Sequence, residues 1–215
     1  MTEAEWLACK WPESMIKFLG TGTSGRKLRL FAIASVRLVE RRIQDLECRA
    51  ALLVFERYAD GLVERAELEV HTRRVEELRQ RDLPVAYPHM NGRQAVAAVL
   101  RWFDAETEPA TVSPPVVVSL SKSIKLIAAQ EILLLRDIFG NPFRPVRFSP
   151  SWRTDTALSL ARGMYESRDF SAMPILADAL QDAGCDSDDI LNHCRDPLAK
   201  HVRGCWVVDL VLGKE

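Results

Sequence analysis

The amino-acid sequence predicts an all-α protein, a multi-helix bundle or an irregular helical-repeat-like array with room for one short strand at 116–118. Three features lead there. Apolar residues recur at helical spacing in one segment after another. Glycines and short polar residues stand where such segments should stop and start. No alternation of helical and strand-like stretches runs along the chain, and no repeat of fixed period.

From the beginning, Trp6 and Leu7, then Met15, Ile16, Phe18 and Leu19, form two short apolar segments broken at Pro12. A glycine-rich turn, Gly20 to Gly25, leads into a long segment from Arg26 to Leu46, capped by Thr23 or Ser24. There Leu28, Phe31, Val36, Val39 and Ile43 fall near helical spacing. The next segment, Arg49 to Ala59, closes at Gly61 in a left-handed cap. Glu64 to Arg81 is charge-laced, with Leu68, Val75 and Leu78 on one side and Glu69 four before Arg73, which favours an exposed helix. Pro84 and Pro88 interrupt, and Asn91 caps a segment through Val96, Val99, Leu100 and Phe103. Ile124 to Phe139 is strongly apolar and stops at Gly140-Asn141-Pro142. After a proline-rich connector come Thr156 to Tyr165, Met173 to Ala183 with Gly184 as cap, Asp186 to Cys194, and Lys200 to Leu212. Asp186 or Ser187 caps the third of these, with Asp188 and Asp189 in its first turn.

Three prolines between Glu106 and Pro115 forbid regular structure there. The expected organisation is therefore an N-terminal helical region at 1–105, a Pro-rich linker or loop at 106–118, and a C-terminal helical region at 119–215, the two regions being able to pack as one domain.

The 215 residues are 47% hydrophobic and 27% charged, enough for a sizeable core without disulfide or metal support. No stretch reaches the roughly 18 apolar residues of a membrane span, and no secretory signal opens the chain, so the expected location is cytoplasmic. Five scattered cysteines suit a reducing compartment. A net charge of -1 excludes a globally basic nucleic-acid binder. Locally, Arg26 to Arg49 carries +4 and Asp169 to Asp196 carries -6. Arg37, Arg41 and Arg42 make the charged interaction face that could contact phosphate, although no stacking aromatics accompany them.

Among motifs, Gly20 to Lys27 fails as a phosphate loop, because Arg26 and Lys27 stand where lysine and a hydroxyl are required. Residues 185–205 are richer in chemistry. Cys185, His193, Cys194, His201 and Cys205 gather thiols and imidazoles, the ligands zinc prefers. His201 and Cys205, four apart, would share one helix face and form half a site. The other half is weaker: Cys185 and Cys194 are far apart for a zinc hook, and His193 and Cys194 diverge on a helix. A nucleophile reading would pair Cys205 with His201 as base. Placed mid-helix beside Trp206 and Val208, the Cys205 thiol is instead expected to be buried and inert, with His201 hydrogen-bonded nearby.

Three stretches carry a resemblance. They are the opening Met-Thr-Glu-Ala-Glu-Trp-Leu-Ala-Cys, Arg26-Lys-Leu-Arg-Leu-Phe-Ala with Phe55-Glu-Arg-Tyr-Ala-Asp-Gly61, and the run from Leu135 to Pro145 continued by Pro174 to Leu180 and His201 to Glu215. On these, the chain resembles a large paralogous family of uncharacterised planctomycete (Gemmata-type) proteins, outside roughly Glu64 to Ser121. The resemblance implies no activity, cofactor or catalytic residue. Family members often carry Cys-Cys-Arg where this chain has Ser35-Val36-Arg37.

The expected function is a non-enzymatic, intracellular helical module for protein interaction or regulation, with a protein partner, no membrane and no required cofactor. The alternative is a zinc-binding or Cys/His-dependent protein centred on Cys185, His193, Cys194, His201 and Cys205. A third is weak nucleic-acid binding through Arg37, Arg41 and Arg42.

Overall fold

A computed structural model describes residues 1–20, 23–81, 92–100 and 125–214. Among them are eleven α-helices, two short 3-10 turns and no strand, so the protein is all-α. The segment 106–118, with the strand expected at 116–118, lies outside the described residues, as do Pro84, Pro88, His89 and Asn91. No described helix is long and apolar enough to cross a membrane.

The helices are α1 (Glu3–Ala8), α2 (Pro12–Leu19), α3 (Gly25–Arg37), α4 (Leu46–Ala59), α5 (Arg65–Gln80), α6 (Gly92–Val99), α7 (Lys125–Phe139), α8 (Asp155–Ser167), α9 (Met173–Asp182), α10 (Asp188–Arg195) and α11 (Trp206–Leu212). The chain forms two compact units. One holds Met1 and Ala8–Ile132, the other Thr2–Leu7 and Leu133–Glu215.

In the first unit α3 packs on α4 and α6, and α5 on α4 and α6. Ser24 caps α3 by accepting from the Lys27 amide. The long helix expected from Arg26 to Leu46 is instead two helices. α3 stops at Arg37, a 3-10 turn covers Glu40–Arg42, and Ile43 is extended. The cause is Asp45, whose carboxylate accepts from the Glu47 and Cys48 amides and starts α4 afresh. The break turns Val39 and Ile43 into the interior. α4 ends as expected at Gly61, with Leu62 and Gly61 amides donating to the Arg57 and Tyr58 carbonyls.

In the second unit, α8, α9, α10 and α11 close around Ala157, Ala161, Met164, Leu176, Leu180, Ile190, Val207, Val208 and Val211. Thr154 caps α8 and Ser187 caps α10. At the end of α9 the Cys185 amide donates to Leu180 O and the Gly184 amide to Gln181 O. That pairing carries the residue after Gly184 inward, which is why Cys185 is buried. The carbonyls of Trp6 and Leu7 at the end of α1 accept from the Arg136 guanidinium.

Candidate metal centre

The site is built from three parts of the second unit. Asp137 lies in the last turn of α7, on the same face as the buried Leu134 and Ile138. His193 lies on α10, and its neighbour Cys194 points into the core. His201 and Cys205 come from the irregular segment before α11.

That segment is the main correction to the sequence reading. Residues 201–205 are not helical, and Cys205 is the N-cap of α11 rather than a mid-helix residue. The Cys205 amide donates to the Val202 carbonyl at 2.9 Å, with Gly204 at φ 92° between them. A β-turn with a positive φ at its third position suits glycine, and this turn folds His201 and Cys205 back to one place. Arg203-Gly204 before a cysteine is the turn signal that helical spacing obscured.

The four side chains meet tightly. Asp137 Oδ1 lies 2.7 Å from His201 Nδ1 and 3.2 Å from His193 Nε2. Cys205 Sγ lies 3.3 Å from the same His193 Nε2 and 3.8 Å from the same His201 Nδ1. All four ligand atoms fall within 4.8 Å of one another. Asp137 Oδ2 accepts from the Val202 amide at 2.9 Å, which fixes the carboxylate. The His193 ring is held between His201, 4.8 Å away, and Trp206, 5.1 Å away. Trp206 reaches that position because Gly140 has no side chain: a Cβ there would come within 3.3 Å of the indole.

Burial shapes the electrostatics. It pushes the Asp137 carboxyl up, but hydrogen bonds from His193 and His201 and their charges outweigh it, leaving the group below its ordinary value. The Cys205 thiol is pushed well up, first by burial and then by the Asp137 charge. Burial also raises Cys185, and raises Cys194 to about 12.

Of the five sequence-derived residues, the structure brings together His193, His201 and Cys205. Cys185 and Cys194 lie in the apolar core and outside the four-atom cluster. Asp137, sixty-four residues before His201, is the residue that sequence reasoning missed. Its signal was an acid, one of two with Glu131, within the apolar run of α7, where a buried carboxylate requires partners.

The arginine face is likewise reshaped. Arg37 ends α3 and forms ion pairs with Glu56 at 2.8 Å and Glu40 at 3.1 Å. Arg41 is exposed in the 3-10 turn, and Arg42 shares that turn, so the three do not line one α-helix. Elsewhere in the same basic stretch, Arg26 pairs with Asp60.

Compared with protein-family models, curated proteins and solved structures, the chain gives no match.

Proposed function

We propose that the protein is a non-enzymatic, zinc-binding helical module whose second unit closes around one ion held by Asp137, His193, His201 and Cys205. One observation carries this reading: each imidazole turns a single nitrogen toward both the carboxylate and the thiol. A nucleophile relay needs the base to use one nitrogen for the nucleophile and the other for the carboxylate. Here the four atoms face a common point, as ligands do.

The spacing supports the same conclusion. Zinc bonds of roughly 2.0–2.3 Å place tetrahedral neighbours roughly 3.3–3.8 Å apart. The Asp137–His193, His193–Cys205 and Cys205–His201 separations of 3.2, 3.3 and 3.8 Å lie near that figure, while Asp137 and His201, hydrogen-bonded at 2.7 Å, must move apart by about half an ångström to admit the ion. Charge supports it too. One carboxylate and one thiolate neutralise a divalent ion, so the filled site is compatible with burial. Four protein ligands leave no open position, which makes the ion structural or regulatory.

Members of the planctomycete family to which we propose this chain belongs often carry Cys-Cys-Arg in place of Ser35-Val36-Arg37 of the first unit. The proposed ligands all belong to the second unit, and the set is complete without those cysteines.

Elemental analysis of protein purified without chelator tests the reading. About one zinc per chain is expected, and cobalt substitution should give thiolate-to-cobalt charge-transfer absorption. Absence of both, after incubation with either metal, overturns it.

A further inference from the structure

We propose that the ion is a latch for residues 196–205, so that metal occupancy sets the order of this segment while α8, α9, α10 and α11 stay folded. The inference rests on the zinc reading above and adds what the site would regulate.

The ligands divide into two kinds. Asp137 and His193 stand on regular helices, and α10 is capped by Ser187 and packed on α9. His201 and Cys205 stand on a stretch without regular structure between 196 and 205. Its internal bonds are short-range: Ala199 to Asp196, Leu198 to the Asp196 carboxylate, Cys205 to Val202. Its backbone reaches a helix where the Val202 amide meets Asp137, which is itself a ligand. Arg203 adds a contact away from the site, its guanidinium lying over the Tyr165 ring of α8 at 4.5 Å, whereas His201, the Val202 amide and Cys205 are all anchored at the ion site.

Helix α11 cannot stand by itself. It has seven residues, below the length at which a helix persists without packing. It is held by the buried Val207, Val208 and Val211, by Arg153 donating to the Leu210 carbonyl, and by Cys205 at its first turn. The outer part of the 196–205 segment is already open, with Leu198 84% exposed and Lys200 exposed. By contrast, α8, α9 and α10 share Ala157, Ala161, Leu176, Leu180 and Ile190 without drawing on the site. Local opening begins in the segments with the fewest independent contacts, and here that segment is 196–205, because α11 is packed on α8 through its buried valines.

The test is hydrogen–deuterium exchange on the full chain, zinc-loaded and chelated, with zinc content measured on the same samples. Removal of zinc should accelerate exchange across 196–205 by about ten-fold or more, with α8, α9, α10 and α11 unchanged. Trypsin cleavage after Lys200 and Arg203 should rise in parallel. Cys205→Ser should show the chelated pattern even in excess zinc. Equal exchange in both states at one zinc per chain overturns the latch and leaves the zinc reading standing. Loss of protection that extends into α8, α9, α10 or α11 also overturns it, because the ion would then hold more than this segment. A chain that takes up no zinc overturns both.

Discussion

His193 Nε2 lies 3.3 Å from Cys205 Sγ across twelve residues of chain, and that one nitrogen also lies 3.2 Å from the Asp137 carboxylate. An imidazole that spends one nitrogen on two partners is poorly placed to pass a proton between them. It is well placed to share a ligand sphere with them. The buried Cys205 thiol agrees, since an activated nucleophile sits in surroundings that lower its pKa and burial here raises it.

The ligand set can be separated from the other cysteines. Asp137→Ala and Cys205→Ala are expected to retain less than about one-tenth of wild-type zinc in equimolar titration. Cys185→Ala and Cys194→Ala should keep it, at a cost of about 1 kcal/mol of packing each. Added zinc should then raise the melting temperature of the wild type and of those two variants alone. Zinc loss in Cys185→Ala or Cys194→Ala, with the fold intact, would mean the ligands are misassigned.

Gly140 is expected to matter through Trp206. Its φ of 65° is unfavourable for alanine, and an added Cβ would lie 3.3 Å from the indole. Gly140→Ala should cost about 1–2 kcal/mol in urea unfolding. It should also weaken zinc binding and change tryptophan fluorescence, because the displaced ring packs on His193. A variant as stable as the wild type, with unchanged zinc affinity, would remove Trp206 from the positioning of the site.

Much of the fold was legible because its signals are local. Ser24, Gly61, Ser187 and Gly184 each act within a few residues, and each ends or begins a helix where the local pattern placed it. The all-α architecture came from the same apolar spacing. What escaped were places where a local signal competes with periodicity. Asp45 overrode a helical pattern that runs through Val39 and Ile43, and Gly204 turned the chain where His201 and Cys205 look helically spaced. Asp137 escaped for a different reason: α7 and α10 meet only in three dimensions, and no spacing rule links residue 137 to residues 193–205.

The Arg37–Glu56 contact yields a stability test and a binding test together. Glu56 is 3% exposed, and the guanidinium donates to it at 2.8 Å. Arg37→Ala deprives a buried carboxylate of its cation and should cost about 2–3 kcal/mol, a little below a fully buried pair. Since Arg37 is engaged with Glu56 and Glu40, heparin retention should be the same with and without it. A steep loss of retention in the variant would restore the phosphate-binding alternative.

Glu131 on α7 offers the largest gain from a single change. It is fully buried, and neither carboxylate oxygen has a hydrogen-bond partner among the described residues. Burial, with a smaller push from the Glu13 charge, raises its pKa from 4.5 to about 9. A folded-state pKa above the unfolded one means that folding takes up a proton as pH rises past 4.5, so stability falls steadily from there to about 9. Glu131→Gln keeps the shape and removes the titration. At pH 7 it should stabilise the protein by up to about 3 kcal/mol, the advantage growing toward pH 9 and vanishing near pH 4. Urea unfolding of both proteins across that range measures the difference directly. A gain that does not vary with pH would mean that Glu131 is not kept protonated in the folded protein.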